Sequence, residues 1–250
     1  MITIKSAKEI VKMQKAGEIV AFAHRAVADA ICIGISTEEL DRIAYNAIIS
    51  KGAQPSFLNY NGYPSSICAS INDVVIHGIP SNTIVLKERD IVSIDIGAYY
   101  DGYHSDRAVT HGVGTISETA KLLIQTAENA FYAGIDNARE GQRISDISAA
   151  IQRYVERKGF SVVKDFVGHG IGTALHEKPD VPNFVSPGKG LRLYRGMTIA
   201  VEPMINVGRS NVRISKDGWT VTTIDGSLSA HYEHSIAITG AEPLLLTVER

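Results

Sequence analysis

Two stretches of this chain share one ground plan, 107 residues apart, and that repetition limits the fold more than any other feature. Each ends a helix-patterned segment at Lys-Gly, first at Lys51-Gly52 and again at Lys158-Gly159. Each then reaches a short apolar run closed by an acid: IVSID ends at Asp95 and TIAVE at Glu202. The same offset carries Leu86 onto Leu193. A duplication of this kind predicts two pseudo-twofold halves, about 1–112 and 113–250, with matching carboxylates around one axis. Asp106 and Glu233 are 127 residues apart, so the second half needs a longer connection.

Helix signals fill in the plan. Ser6 and Glu9 form a capping box ahead of a helical pattern over residues 8–31. A second helix is expected from Ser36 or Thr37 to Gly52, a third after Ser117, and a fourth from about Ser145 to Gly159. Gly at the two ends suits the left-handed residue that follows a helix. The stretch from Pro179 to Gly190 reads as a long surface loop. With 250 residues, 44% of them hydrophobic, the chain can form one large domain.

The same numbers bound the partners. A net charge of -2 without a long basic block argues against specific nucleic acid or an anionic membrane. No stretch approaches the roughly 20 apolar residues of a membrane span, and the N-terminus lacks a charged-then-apolar leader. Cys32 and Cys68 read as two free thiols in a reducing compartment. The expectation is a cytoplasmic protein without an added N-terminal module.

The chemistry sits in the strands. Residues 90–111 contain Asp101-Gly102, a strong two-residue hairpin signal. That turn sets Tyr100 opposite Tyr103 and Asp95 opposite Ala108. Asp106, two residues from Ala108, then shares a sheet face with Asp95. His169 lies between glycines in GHGIG, Glu202 closes MTIAVE, and Glu233 sits in the strand-like SAHYEHSIAI. Four carboxylates in one cleft would repel. Two unit charges about 4 Å apart interact by roughly 4 kcal/mol even at an effective dielectric near 20. Such a cluster persists only with protons or cations in it. One imidazole and four carboxylates suit a pair of divalent ions, and an oxygen-rich set favours cobalt, manganese or iron over structural zinc.

The stretches NGYPSSICASINDVVIHGIP, DIVSIDIGAYYDGYHSD, GHGIGTALHEKPDVPNF, GMTIAVEPMIN and DGWTVTTIDGSLSAHYEHSIAIT resemble type I methionine aminopeptidases of the bacterial kind, over essentially the whole chain. The resemblance implies an α+β class and a pita-bread fold, a curved antiparallel sheet with outer helices and pseudo-twofold halves. It implies that Asp95, Asp106, His169, Glu202 and Glu233 hold two metal ions, that Glu202 also acts as a base, and that His77 and His176 contact substrate as catalytic histidines. Tyr60, Tyr63, Cys68 and Trp219 match the methionine pocket, with Phe57 and Leu175 at its more variable positions. Asn72, Val74 and Ser229 match positions that hold a monovalent cation in some relatives. The implied partners are peptides and nascent chains with an N-terminal Met and a small second residue, encountered by a monomer in a setting compatible with ribosome association. Two departures stand out: Arg107 replaces a small hydroxyl residue, and His231 replaces the more usual Gln. His104, His111 and His234 are read as structural. A proline-directed relative such as prolidase is disfavoured because those chains usually carry an extra N-terminal domain. A non-catalytic binding homologue is disfavoured because all five ligands are present.

Overall fold

The computed structural model of the chain describes residues 2–249. Helices α1 (Ala7–Ala30) and α2 (Thr37–Ser50) precede a first set of strands, and α3 (Glu118–Ile135) and α4 (Ile144–Arg157) precede a second. Ser6 caps α1 through the expected box, its hydroxyl accepting from the Glu9 N–H while the Glu9 carboxylate accepts from the Ser6 N–H. Gly52 and Gly159 follow α2 and α4 with φ of 72° and 83°, the left-handed exits expected of Lys-Gly. The start of α4 agrees with the expectation to within a residue. Its cap is Arg143, whose backbone N–H donates to the Asp146 carboxylate.

The strands that carry the site are β1 (Ile67–Ile71), β2 (Ile91–Tyr100), β3 (Tyr103–Gly112), β4 (Gly168–Gly170), β5 (Glu177–Val181), β6 (Thr198–Val201), β7 (Met204–Asn206), β8 (Ser229–His231) and β9 (His234–Ala237). Every described pairing is antiparallel, including β2 with β1 and β3, and β4 with β5 and β6. The β2–β3 hairpin has the register that its turn dictates, with Tyr100 opposite Tyr103 and Asp95 opposite Ala108. Asp101 and Gly102 take the required positive φ, 48° and 89°.

Alternation along β2 sorts its side chains. Val92, Ile94, Ile96 and Ala98 pack into an apolar layer with Leu40, Ile48 and Val27 of the first helix pair. Ser93, Asp95 and Gly97 point the other way. A second apolar layer joins Phe131, Ile147 and Ile151 of α3 and α4 to Ile199, Val201 and Ile205. Helices thus cover the outer faces, and the inner faces are left to the polar cluster. Two sequence expectations fail locally. Pro179 lies within β5 rather than in a loop, which is tolerable because β5 is an edge strand. Glu233 does not lie inside one strand but in the gap between β8 and β9.

Arg107 explains three of the histidines. His24 Nε2 lies 2.7 Å from the Arg107 carbonyl, and burial, then the guanidinium charge, hold the His24, His111 and His234 imidazoles down, His111 to about 4. A histidine kept neutral in the fold but free to protonate when unfolded stabilises fully above its unfolded pKa near 6.5, and that stabilisation is lost as pH falls towards about 4. This histidine contribution should fall as pH goes from 7 to 5, while the raised carboxyls of the metal-free protein act in the opposite sense, so the native chain is compared with a single-histidine variant. His111→Gln should flatten that dependence by up to about 3 kcal/mol at the acid end. An unchanged slope in calorimetry of the variant would count against the argument.

Candidate metal centre

Backbone rungs bring the acids together. Ala108 faces Asp95 across the hairpin. On its other side, the Glu233 N–H donates to the Ala108 carbonyl at 2.9 Å, and the Ala108 N–H returns to the Glu233 carbonyl at 3.4 Å. Asp95, Ala108 and Glu233 therefore form one row across two sheets. Asp106 is anchored separately, its N–H donating to Ser235 Oγ (2.9 Å) and its carbonyl accepting from the same hydroxyl (3.0 Å). Glu202 follows β6 and precedes Pro203. Proline has no N–H, so the ladder is interrupted at the point where Glu202 and Glu233 turn inward.

His169 is delivered by a strand squeezed between two others. A Cβ on Gly168 would lie 2.4 Å from the Ala200 carbonyl oxygen, and one on Gly170 would lie 2.4 Å from that of Lys178. Only glycines fit on either side of this imidazole. Its Nδ1 lies 2.9 Å from the Gly170 carbonyl, which fixes the proton there and leaves a lone pair on Nε2. That Nε2 is 3.6 Å from Glu202 Oε1.

The residues fit divalent ions by their own deficits. Asp95 Oδ1, Asp106 Oδ1 and Glu233 Oε1 are buried without hydrogen-bond partners, a costly state for carboxyl groups with nothing bound. Donor atoms of Asp106, His169 and Glu233 lie within 4.8 Å of one another, as do those of Asp95, His231 and Glu233. Burial first, then mutual repulsion, pushes the Asp95, Glu202 and Glu233 carboxyls well above their usual range. Burial also pushes up Asp106 and lowers His169, so the imidazole is neutral and able to donate its lone pair.

A cavity of about 380 Å³ opens onto four of the carboxylates and both His169 and His176. Phe57, Tyr60, Tyr63, Cys68, Leu175 and Trp219 line its remaining wall, together with His77. Tyr63 and Trp219 meet edge to face at 5.2 Å between ring centroids. The Cys68 thiol is buried beside Asp95, and burial, then that charge, pushes it up, so it serves as a small apolar wall rather than a nucleophile. His77 takes φ +59°, with its ring edge-on to Phe166 and Trp219. His176 Nδ1 lies 2.8 Å from the Tyr60 hydroxyl, and its ring centroid is 4.2 Å from that of His169. Asn72 and Ser229 also meet, the Ser229 N–H donating to the Asn72 carbonyl at 2.8 Å, while Val74 pairs with Thr222 nearby.

Residues 11–240 match the model of metallopeptidase family M24. The chain belongs to that family. It is 51% identical to a methionine aminopeptidase of Clostridium perfringens, over 99% of both chains. The crystal structure of a methionine aminopeptidase from Thermotoga maritima superposes with a TM-score of 0.97 at 42% identity, covering all of both chains. An Xaa-Pro dipeptidase from Bacillus anthracis is more distant, with a TM-score of 0.80 at 25% identity; the match covers 99% of this chain but 62% of that one. This M24 metallopeptidase thus has the pita-bread fold and groups with the methionine aminopeptidases. Among the described residues, no helix is long and apolar enough to cross a membrane.

Sequence reasoning missed three contributors in this M24 chain. Asn61 lines the cavity from a short 3-10 turn, Tyr60–Gly62, in which Asn61 itself takes φ +49°. Phe166 buttresses His77, and Ser235 holds the Asp106 backbone. Asn59-Tyr-Asn-Gly carries the only advance signal, because Asn and Gly tolerate the left-handed region that this turn needs.

Proposed function

We propose that this chain removes the N-terminal methionine from peptides and nascent chains, favouring a small second residue, with two divalent ions held by Asp95, Asp106, His169, Glu202 and Glu233. The observation that carries this reading is the convergence of those five donors on the floor of a cavity whose wall is Phe57, Tyr60, Tyr63, Cys68, Leu175 and Trp219. The wall matches an unbranched thioether in shape and polarizability. Cobalt, manganese or iron fits the donor set. When bound, such ions supply Lewis acidity and a water of lowered pKa.

The chain's own residues supply the rest. Glu202, buried at the cavity floor, takes a proton from the attacking water and passes it to the leaving amine. His176, steadied by the Tyr60 hydroxyl, donates a hydrogen bond to the scissile carbonyl oxygen as negative charge develops there. His77, wedged between Phe166 and Trp219, contacts the substrate at the cavity rim. The preference for a small second residue rests on the resemblance to methionine aminopeptidases. The resemblance also supports a monovalent cation near Asn72, Val74 and Ser229, a single domain with halves at about 1–112 and 113–250, a monomeric state, and work in the cytoplasm on chains leaving the ribosome.

Free methionine should appear from a Met-Gly-Met peptide once cobalt or manganese is added to chelator-treated protein, and should not appear without it. Turnover confined to Xaa-Pro peptides would favour a proline-directed activity, for which the Bacillus anthracis likeness is the relevant observation. Tight peptide binding without turnover under every divalent ion would sink the catalytic reading altogether.

A further inference from the structure

One buried group beside the cluster has no role in the account above. His231 is 2% exposed, and its Nε2 has no hydrogen-bond partner. That atom lies 3.6 Å from Glu202 Oε2 and 3.8 Å from Glu233 Oε2. Both separations exceed the roughly 2.7–2.9 Å of a charge-assisted hydrogen bond. They suit two donors on one cation: ligands about 2.1 Å from an ion and about 120° apart stand roughly 3.6 Å from each other. His169 provides an internal standard, with its Nε2 3.6 Å from Glu202 Oε1. Each oxygen of Glu202 is therefore flanked by one imidazole at the same distance.

We propose that His231 is a sixth metal ligand, so that each ion of the pair takes one imidazole. His169 and Asp106 serve one position, His231 and Asp95 serve the other, and Glu233 belongs to both triplets, whose donor atoms each lie within 4.8 Å of one another. The inference rests on the two-ion reading and goes further in assigning the nitrogen donors. His231 is not among the residues lining the cavity, so it would ligate from behind, leaving the substrate side open. Its backbone is held on both sides by Thr110: the His231 N–H donates to Thr110 Oγ1 at 2.9 Å, and the His231 carbonyl accepts from the same hydroxyl at 2.8 Å. A ligand clamped in this way is preorganised. A neutral imidazole adds no charge, so four carboxylates still balance two divalent ions. A nitrogen donor in the second position favours cobalt over manganese there.

Proton NMR of the cobalt(II)-loaded protein tests the assignment by counting strongly shifted, exchangeable imidazole N–H signals. Two are expected in the native chain and one in His231→Gln, which keeps the reach of the side chain but lacks the ring. Calorimetric titration should show the weaker cobalt site losing about 10- to 100-fold in affinity in the variant, and manganese losing much less. Two bound cobalt ions with a single shifted N–H in the native chain would overturn the assignment and leave the five-ligand site intact. A native chain that binds no divalent ion would defeat both. The native signal count decides the matter even if the variant folds poorly.

Discussion

Asp106→Asn is expected to lower turnover on the order of 10³-fold or more while making the metal-free protein more stable. The two effects have one cause. Asp106 is buried, and its charge is among those that push up Asp95, Glu202 and Glu233. Without cations, four acids in one pocket oppose folding at neutral pH, because groups with raised pKa values are ionised more cheaply in the unfolded chain; this penalty fades as pH falls. Asparagine keeps the shape and removes one charge. The backbone at this position is held by Ser235, not by the carboxylate, so the local fold should persist. Adding cobalt or manganese should raise the melting temperature of the native chain strongly and that of the variant weakly. Calorimetry with and without chelator, together with metal analysis, reads both effects. A variant that kept its metal content and its turnover would show that the ligands have been misassigned.

The second large effect concerns a residue with no side chain. Gly170→Ala is expected to cost about 3 kcal/mol and to displace His169. The added methyl would sit 2.4 Å from the Lys178 carbonyl oxygen and 2.7 Å from its carbon, and neither belongs to a flexible group. The strand must move, and the imidazole next to it moves as well. Gly240→Ala is the matched control, since a Cβ there meets nothing within 4 Å. Urea denaturation should separate the two variants clearly. Equal stability and equal metal content would show that β4 is less tightly held than these distances require.

Much of this architecture was legible because its signals are local. Asp101-Gly102 fixes its hairpin register within a few residues, and that register alone puts Asp95 and Asp106 on one face. Ser6 and Glu9 announce α1 within one turn. The errors fall where the deciding partner is distant in sequence. Glu233 reads as strand because SAHYEHSIAI alternates well, yet β8 pairs with β7 and β9 with β6 on either side of Pro203, so the run must break at Glu233. Pro179 reads as loop because nothing local reveals that its strand lies at an edge with one partner. The five metal-type residues were visible as types, but their convergence needed the Ala108–Glu233 contact, which joins segments 125 residues apart.

That reciprocal pair of amides has a thermodynamic corollary. It is one of several stitches between the sheet of the first half and that of the second, beside Asp106–Ser235 and Thr110–His231, and it lies in the row that carries Asp95 and Glu233. Parting the halves therefore means cutting these bonds together and dispersing the donors. Cation escape and subglobal opening then become a single event. Protons on these two nitrogens should trade with solvent only as often as the ions themselves depart, so retention of the ions is a property of the seam rather than of any one coordinating side chain.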